Sequence, residues 1–174
     1  MIEDSPRLLL MYAVLPLWIL AGLADWWCHR RTAIESTSGL RESAFHFLMF
    51  AQMAVAGLAA MLLQVNLGLL ALVTVLFVLH EFTTWLELRF VQRRREIRPV
   101  EQMVHSFMEL LPLAGLLLLA TLCHGPAQWS LRPKDEPLPL AYVLGACAAI
   151  AALNVVPLVE EAWRCFRGTK RRIA

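Results

Sequence analysis

An all-α, polytopic membrane bundle of about five transmembrane helices is the fold this sequence predicts, and three observations predict it. Hydrophobic residues fill 59% of the 174 positions and the mean hydropathy is +0.58, too apolar for a water-soluble domain of this length. Five apolar runs, roughly 8–27, 43–63, 67–88, 103–123 and 138–160, each approach the ~20 residues that a helix needs to cross a bilayer. Charge is sorted to one set of helix ends. Of the 16 Lys and Arg, only Arg7, Arg132 and Lys134 lie away from the ends where helices 1, 3 and 5 finish. Under the positive-inside rule this sets the N-terminus outside and the C-terminus in the cytoplasm.

Each element follows in order. Met1 to Arg7 carries Glu3 and Asp4 and leads into run 8–27 with no small-residue cleavage site, so that run reads as a retained span and not a signal peptide. Thr32-Ala-Ile-Glu35 has the pattern of a capping box opening helix 2, with Gly39 as a point of interruption. Gln64 to Gly68 supplies a tight turn that makes helices 2 and 3 an antiparallel hairpin. The segment from His124 to Pro139, with Pro126, Pro133 and Pro137, reads as an irregular external connector. Pro112 and Pro157 fall within helices 4 and 5 and mark kinks. Residues 1–163 form the bundle, and 164–174 form a basic cytoplasmic tail that serves as a topology signal. Trp26, Trp27, Trp85 and Trp163 sit at the basic interface and Trp129 in the outer loop, where amphipathic rings are favoured.

The four cysteines, Cys28, Cys123, Cys147 and Cys165, make no CxxC pair and read as packing residues. Met49, Met53, Met103 and Met108 read the same way, as helix packing in preference to a thioether metal site.

Ionisable residues inside the spans carry the functional signal. Asp25 and His29 stand one turn apart at the end of helix 1; Glu42 and His46 repeat that spacing in helix 2; His80 and Glu81 close helix 3. Glu101, His105 and Glu109 step by four through the start of helix 4, and Glu160-Glu161 ends helix 5. At 1.5 Å of rise per residue, His80 lies about 13 Å above Arg89 and His105 about 10 Å above Arg98, so segments distant in sequence deliver these groups to one depth. An unpaired charge there costs on the order of 3 kcal/mol. The arginines all read as rim residues, which leaves the acids to be protonated, paired or bound to a cation.

Four histidines among those acids favour a metal, and mixed imidazole and carboxylate ligation suits iron, manganese or zinc. The candidate ligands are Asp25, His29, Glu42, His46, His80, Glu81, Glu101, His105, Glu109 and Glu161. Glu35, Glu87 and Glu96 read as rim partners of arginine, one of Glu160 and Glu161 as an ion-pair partner of Arg164, and His124 as a surface residue. So large a ligand set exceeds one tetrahedral zinc and points to two iron ions. In ligand inventory alone it resembles the di-iron helix bundles, with Glu42-x-x-x-His46 and Glu101-x-x-x-His105 in place of Glu-x-x-His.

The function expected is a membrane-embedded oxidoreductase, a di-iron oxidase or oxygenase acting on a lipid or quinol at the cytoplasmic leaflet. A divalent-metal transporter or binding protein and a zinc-dependent membrane hydrolase are the alternatives. The setting expected is a plasma membrane, the inner membrane of a bacterium, with membrane lipids as partners and no nucleic acid.

Overall fold

In the computed structural model, which describes residues 5–124 and 126–173 with side chains as far as residue 169, five helices are long and apolar enough to cross a membrane. They are α1 (Ser5–Thr32), α2 (Leu40–Leu62), α3 (Leu67–Val91), α4 (Pro99–Thr121) and α5 (Leu140–Thr169). Among the described residues there is no strand, only an isolated bridge between Leu63 and Pro133. Leu17, Leu20, Val75, Val78, Leu117 and Leu144 point outward, the arrangement that a bilayer solvent demands. Inside, Ala56, Leu69, Val73 and Leu119 form a small apolar core between α2, α3 and α4.

The helices run past the apolar runs at their polar ends, because the backbone ladder continues wherever carbonyls need partners. At the basic end α5 extends helically through the segment expected as a tail, to Ile173; its side chains from Lys170 onward lie outside the described residues. Two π turns interrupt the ladders. Leu10–Val14 precedes Pro16, and Ala151–Val155 precedes Pro157, so each wide turn stands where a proline ring would crowd an upstream carbonyl.

The second π turn positions the site. Its Asn154 is buried and donates from Nδ2 to the Ile19 carbonyl of α1 at 3.0 Å. A Cβ at Gly22 would lie 2.4 Å from that Nδ2, so only glycine admits the contact. Two helical turns further along each helix come His29 and Glu161. The Gly22–Asn154 contact thus sets the register that brings those two side chains together.

Connections are short. The expected capping box at Thr32 and Glu35 does not form. Instead, α1 ends at Thr32 with Ala33 in the left-handed region at φ 51°, and a 3-10 turn follows at Ile34–Ser36. Thr32 is drawn into the end of α1 because its hydroxyl donates to the Cys28 carbonyl at 3.0 Å. Gly39, at φ 65°, then starts α2, so the break is real. At the other end of the bundle, Asn66 caps α3 by accepting from the Leu69 N–H at 3.0 Å. Connector residues 128–134 fold back over the hairpin tip, with Gln64 N–H donating to the Arg132 carbonyl at 2.9 Å and Lys134 N–H to that of Leu62 at 2.9 Å. Burial lowers the pKa of the Lys134 ammonium, helped by the nearby charge of Arg7.

Candidate metal centre

At the basic end the helices deliver a closed polar layer. Asp25 and His29 come from α1, Glu42 and His46 from α2, Glu87 from α3, Glu101 and His105 from α4, and Glu161 from α5. Each of these eight side chains is at most 11% exposed. The four-residue spacings work as the sequence implied, since they stack both members of a pair on the inward face of one helix.

Glu161 is the hub. Its two oxygens accept separately, Oε2 from His29 Nδ1 at 3.0 Å and Oε1 from His46 Nδ1 at 2.7 Å. The two imidazole rings stack with centroids 4.4 Å apart and planes 2° from parallel. A carboxylate can only accept, so both Nδ1 atoms carry protons and both Nε2 atoms are turned away from Glu161.

Those Nε2 atoms face further carboxylates at spacings longer than hydrogen bonds. His29 Nε2 is 3.4 Å from Glu101 Oε1, 3.5 Å from Asp25 Oδ1 and 3.9 Å from Glu42 Oε1. His46 Nε2 is 3.9 Å from Glu87 Oε1. His105 Nε2 approaches Asp25 Oδ1 at 2.9 Å. Ligand bonds of about 2.0–2.2 Å hold neighbouring ligand atoms about 3–3.5 Å apart, so these separations are close to the edges of a coordination polyhedron. Among the described residues three sets each bring their ligand atoms within 4.8 Å of one another: Asp25, His29 and His105; Glu42, His46 and Glu87; and His29, His46 and Glu161. The first two share no residue. His29 Nε2 and Glu87 Oε1 are buried without a hydrogen-bond partner, an arrangement that is costly unless another group satisfies them.

Two members of the layer correct the reading from sequence. Glu87 is no rim residue; it is 2% exposed and faces His46. Arg95, assigned to the rim with every other arginine, turns back into the bundle with a side chain 5% exposed. Its Nη2 donates to Glu42 Oε1 at 2.6 Å and its Nη1 to Glu101 Oε2 at 2.9 Å. Burial works against its charge, but the hydrogen bonds it donates to Glu101 and Glu42 outweigh that and hold its pKa above the ordinary arginine value. A protein cation therefore does stand at this depth. Ser38 also donates to Glu42.

Other expected ligands stand apart. His80 is buried at 4% and, with Glu109, lines a cavity of about 90 Å³ beside His46, Glu87 and His105, but it joins none of the three sets. Glu81 and Glu109 lie within electrostatic reach of each other and join none of the three sets. His80 shares the buried face of α3 with Glu87 but stands two turns further from the basic end, so the depth read from the sequence, not the face, is what misplaced it. At the rim, Glu160 pairs with Arg30 at 3.1 Å and Arg164 at 3.0 Å and accepts from Trp26 Nε1 at 2.8 Å. Glu35 pairs with Arg164. These are the arginine partners that the sequence implied.

Comparison of the chain with protein-family models, curated proteins and solved structures finds no match.

Proposed function

We propose that this chain is a membrane-embedded oxidoreductase built on a dinuclear metal centre, with iron the preferred ion and a lipid or quinol as substrate. Asp25, His29 and His105 would hold one ion, and Glu42, His46 and Glu87 the other. The observation that carries the reading is the pair of separate ligand sets joined by Glu161. One carboxylate orients two histidines, the role that carboxylates commonly play behind metal-bound imidazoles. Charge agrees. Five buried carboxylates, Asp25, Glu42, Glu87, Glu101 and Glu161, face one buried guanidinium, and two divalent ions would neutralise the remainder.

Mixed nitrogen and oxygen ligands from facing helices suit iron or manganese, and two such ions would supply electrons for oxygen chemistry. The chain's own residues have simpler tasks. Glu161 fixes the imidazole tautomers, Arg95 holds Glu42 and Glu101, and the surrounding apolar helices keep bulk water from the layer. The positive-inside rule supports placing this end at the cytoplasmic leaflet, and a plasma membrane, the inner membrane of a bacterium, is the setting we propose.

A second reading rests on the first ligand set alone. One Asp and two His with Glu101 nearby match a three-ligand zinc site with an open position and a carboxylate beside it, the requirement for a metal-dependent hydrolase. Elemental analysis of protein purified without chelator separates the two. Two irons per chain and an oxygen-dependent change in near-ultraviolet absorption are expected; one zinc per chain favours the hydrolase. His29→Ala, His46→Ala and His105→Ala should each lose metal while His80→Ala retains it. Full occupancy in the first three variants would overturn the site.

A further inference from the structure

The polar layer uses only one end of the bundle. Beyond it lies a cavity of about 860 Å³, bounded by all five helices and lined by apolar side chains such as Leu10, Met53, Phe77, Leu119 and Val155. Engineered apolar cavities that stay empty in folded proteins are far smaller, about 150 Å³. A chamber of this size, within the range of ligand pockets, is built to be filled.

Its two ends differ. At the end remote from the polar layer the lining becomes polar, with Arg7, Gln64, Lys134 and Asp135. At the inner end stand Trp18 and Phe50, stacked with ring centroids 6.4 Å apart and planes at 14°. Both aromatic residues also line the small cavity that reaches Asp25, His46, Glu87 and His105. The two cavities therefore share one aromatic wall. From Arg7 to Trp18 the eleven residue steps of α1 span about 16 Å, roughly half the ~30 Å hydrocarbon core of a bilayer.

We infer that this chamber binds one hydrocarbon chain of a membrane lipid, with the polar head at the Arg7 and Lys134 mouth and the chain tip against Trp18 and Phe50. Three features select that occupant. Inward of the polar mouth the lining is apolar, which suits hydrocarbon and excludes a polar solute or an ion in transit. The mouth carries charges of both signs beside hydrogen-bonding groups, which suits a head group. The depth matches one leaflet. In taking the chain as the part of a substrate that approaches the metals, the inference rests on the metal-centre reading, and the test keeps the two apart.

The full chain is placed in phosphatidylcholine nanodiscs containing a phosphatidylcholine with a diazirine on the terminal carbon of one acyl chain. A parallel sample carries a prenyl alcohol tipped in the same way. Photolysis and peptide mass spectrometry should place labels on Trp18, Phe50 or Met53, and the sample that labels them identifies the chain as acyl or prenyl. A Cβ at Gly57, which lines the chamber, would meet nothing within 4 Å, so Gly57→Phe has room to fill it. That substitution should cut the internal labelling at least five-fold, and Ala54→Phe provides a second filled variant if the first folds poorly. Labels confined to outward residues such as Val75 and Leu117, or internal labelling unchanged in a folded filled variant, would overturn the inference. Metal content is measured on the same samples. Internal labelling in metal-free protein would defeat the metal centre and leave the chamber standing, whereas metal-loaded protein without internal labelling would do the reverse.

Discussion

Glu161→Gln separates an orienting carboxylate from a metal ligand. Glutamine keeps the shape of the side chain but offers one acceptor oxygen and an NH2 group in place of the second. One of the hydrogen bonds, 3.0 Å from His29 or 2.7 Å from His46, therefore survives, and the other becomes a meeting of two donors. Losing the carboxylate behind a ligating imidazole typically weakens metal binding 10–100-fold, about 1.4–2.7 kcal/mol. Because Glu161 serves one histidine of each ligand set, the loss should fall on one ion and largely spare its neighbour. Calorimetric titration of chelator-stripped protein with ferrous iron under anaerobic conditions reads this directly. The expected result is two ions per chain at saturation, with the two affinities at least ten-fold further apart than in the parent protein. Unchanged affinities would refute the orienting role. Complete loss of both ions from a folded variant would make Glu161 a direct ligand of each.

Arg95→Met removes the guanidinium from Glu42 and Glu101 and leaves two buried carboxylates without their cation, a change that costs about 3–5 kcal/mol when one partner of a buried pair is removed. Thermal unfolding with chelator should show that loss, and added metal should restore part of it; equal melting temperatures for parent and variant under chelator would contradict the pairing. Gly22→Val drives a side chain into Asn154, 2.4 Å from where its Cβ would stand. It should lower stability by about 1–3 kcal/mol and reduce metal occupancy, since α1 and α5 lose the register that joins His29 to Glu161; normal occupancy at saturating metal would show that the contact does not set the site. Ala33→Gly should raise stability by about 1 kcal/mol, because Ala33 holds φ at 51° where a Cβ is strained. A lower melting temperature would contradict that account.

Most of the fold could be read from the chain because membrane helices announce themselves one at a time. Each span satisfies its own backbone, so length and hydropathy locate it without any knowledge of its neighbours. Site residues are legible to the extent that they repeat with helical spacing: Asp25 with His29, Glu42 with His46, and Glu101 with His105 each stack on one inward face. Glu87 also had a signal, seven residues after His80 on the buried stripe of Val73, His80, Thr84 and Val91, but its closeness to Arg89 made a rim partner the simpler reading. Arg95 had none. It belongs to the Arg93–Arg95 run, and nothing local distinguishes the arginine that folds inward, because its direction is fixed by two carboxylates, one of them 53 positions away. His80 shows the converse failure: it shares the buried face of α3 with Glu87 but stands two turns further from the basic end, so its depth and not its azimuth leaves it outside the sets.

The electrostatics of the layer lead to one more measurable consequence. Five buried carboxylates and one guanidinium carry a formal charge of −4 when the histidines are neutral, a charge too costly to leave uncompensated among apolar helices. Without metal, protons on the imidazoles and carboxylates are the available compensation. With metal, the ligands must be deprotonated, and two divalent ions supply the same four positive charges. Loading should therefore exchange metal for protons at nearly constant charge, about two protons released per ion. Calorimetry at a fixed pH near 7 in buffers of different ionisation enthalpy gives that number as the slope of observed heat against buffer enthalpy. The same exchange requires affinity to rise with pH, by about a hundred-fold per unit for each ion while two protons are displaced. A slope near zero, with affinity independent of pH, would mean that the metal-free layer already tolerates its negative charge, and the electrostatic case for a dinuclear centre would fall with it.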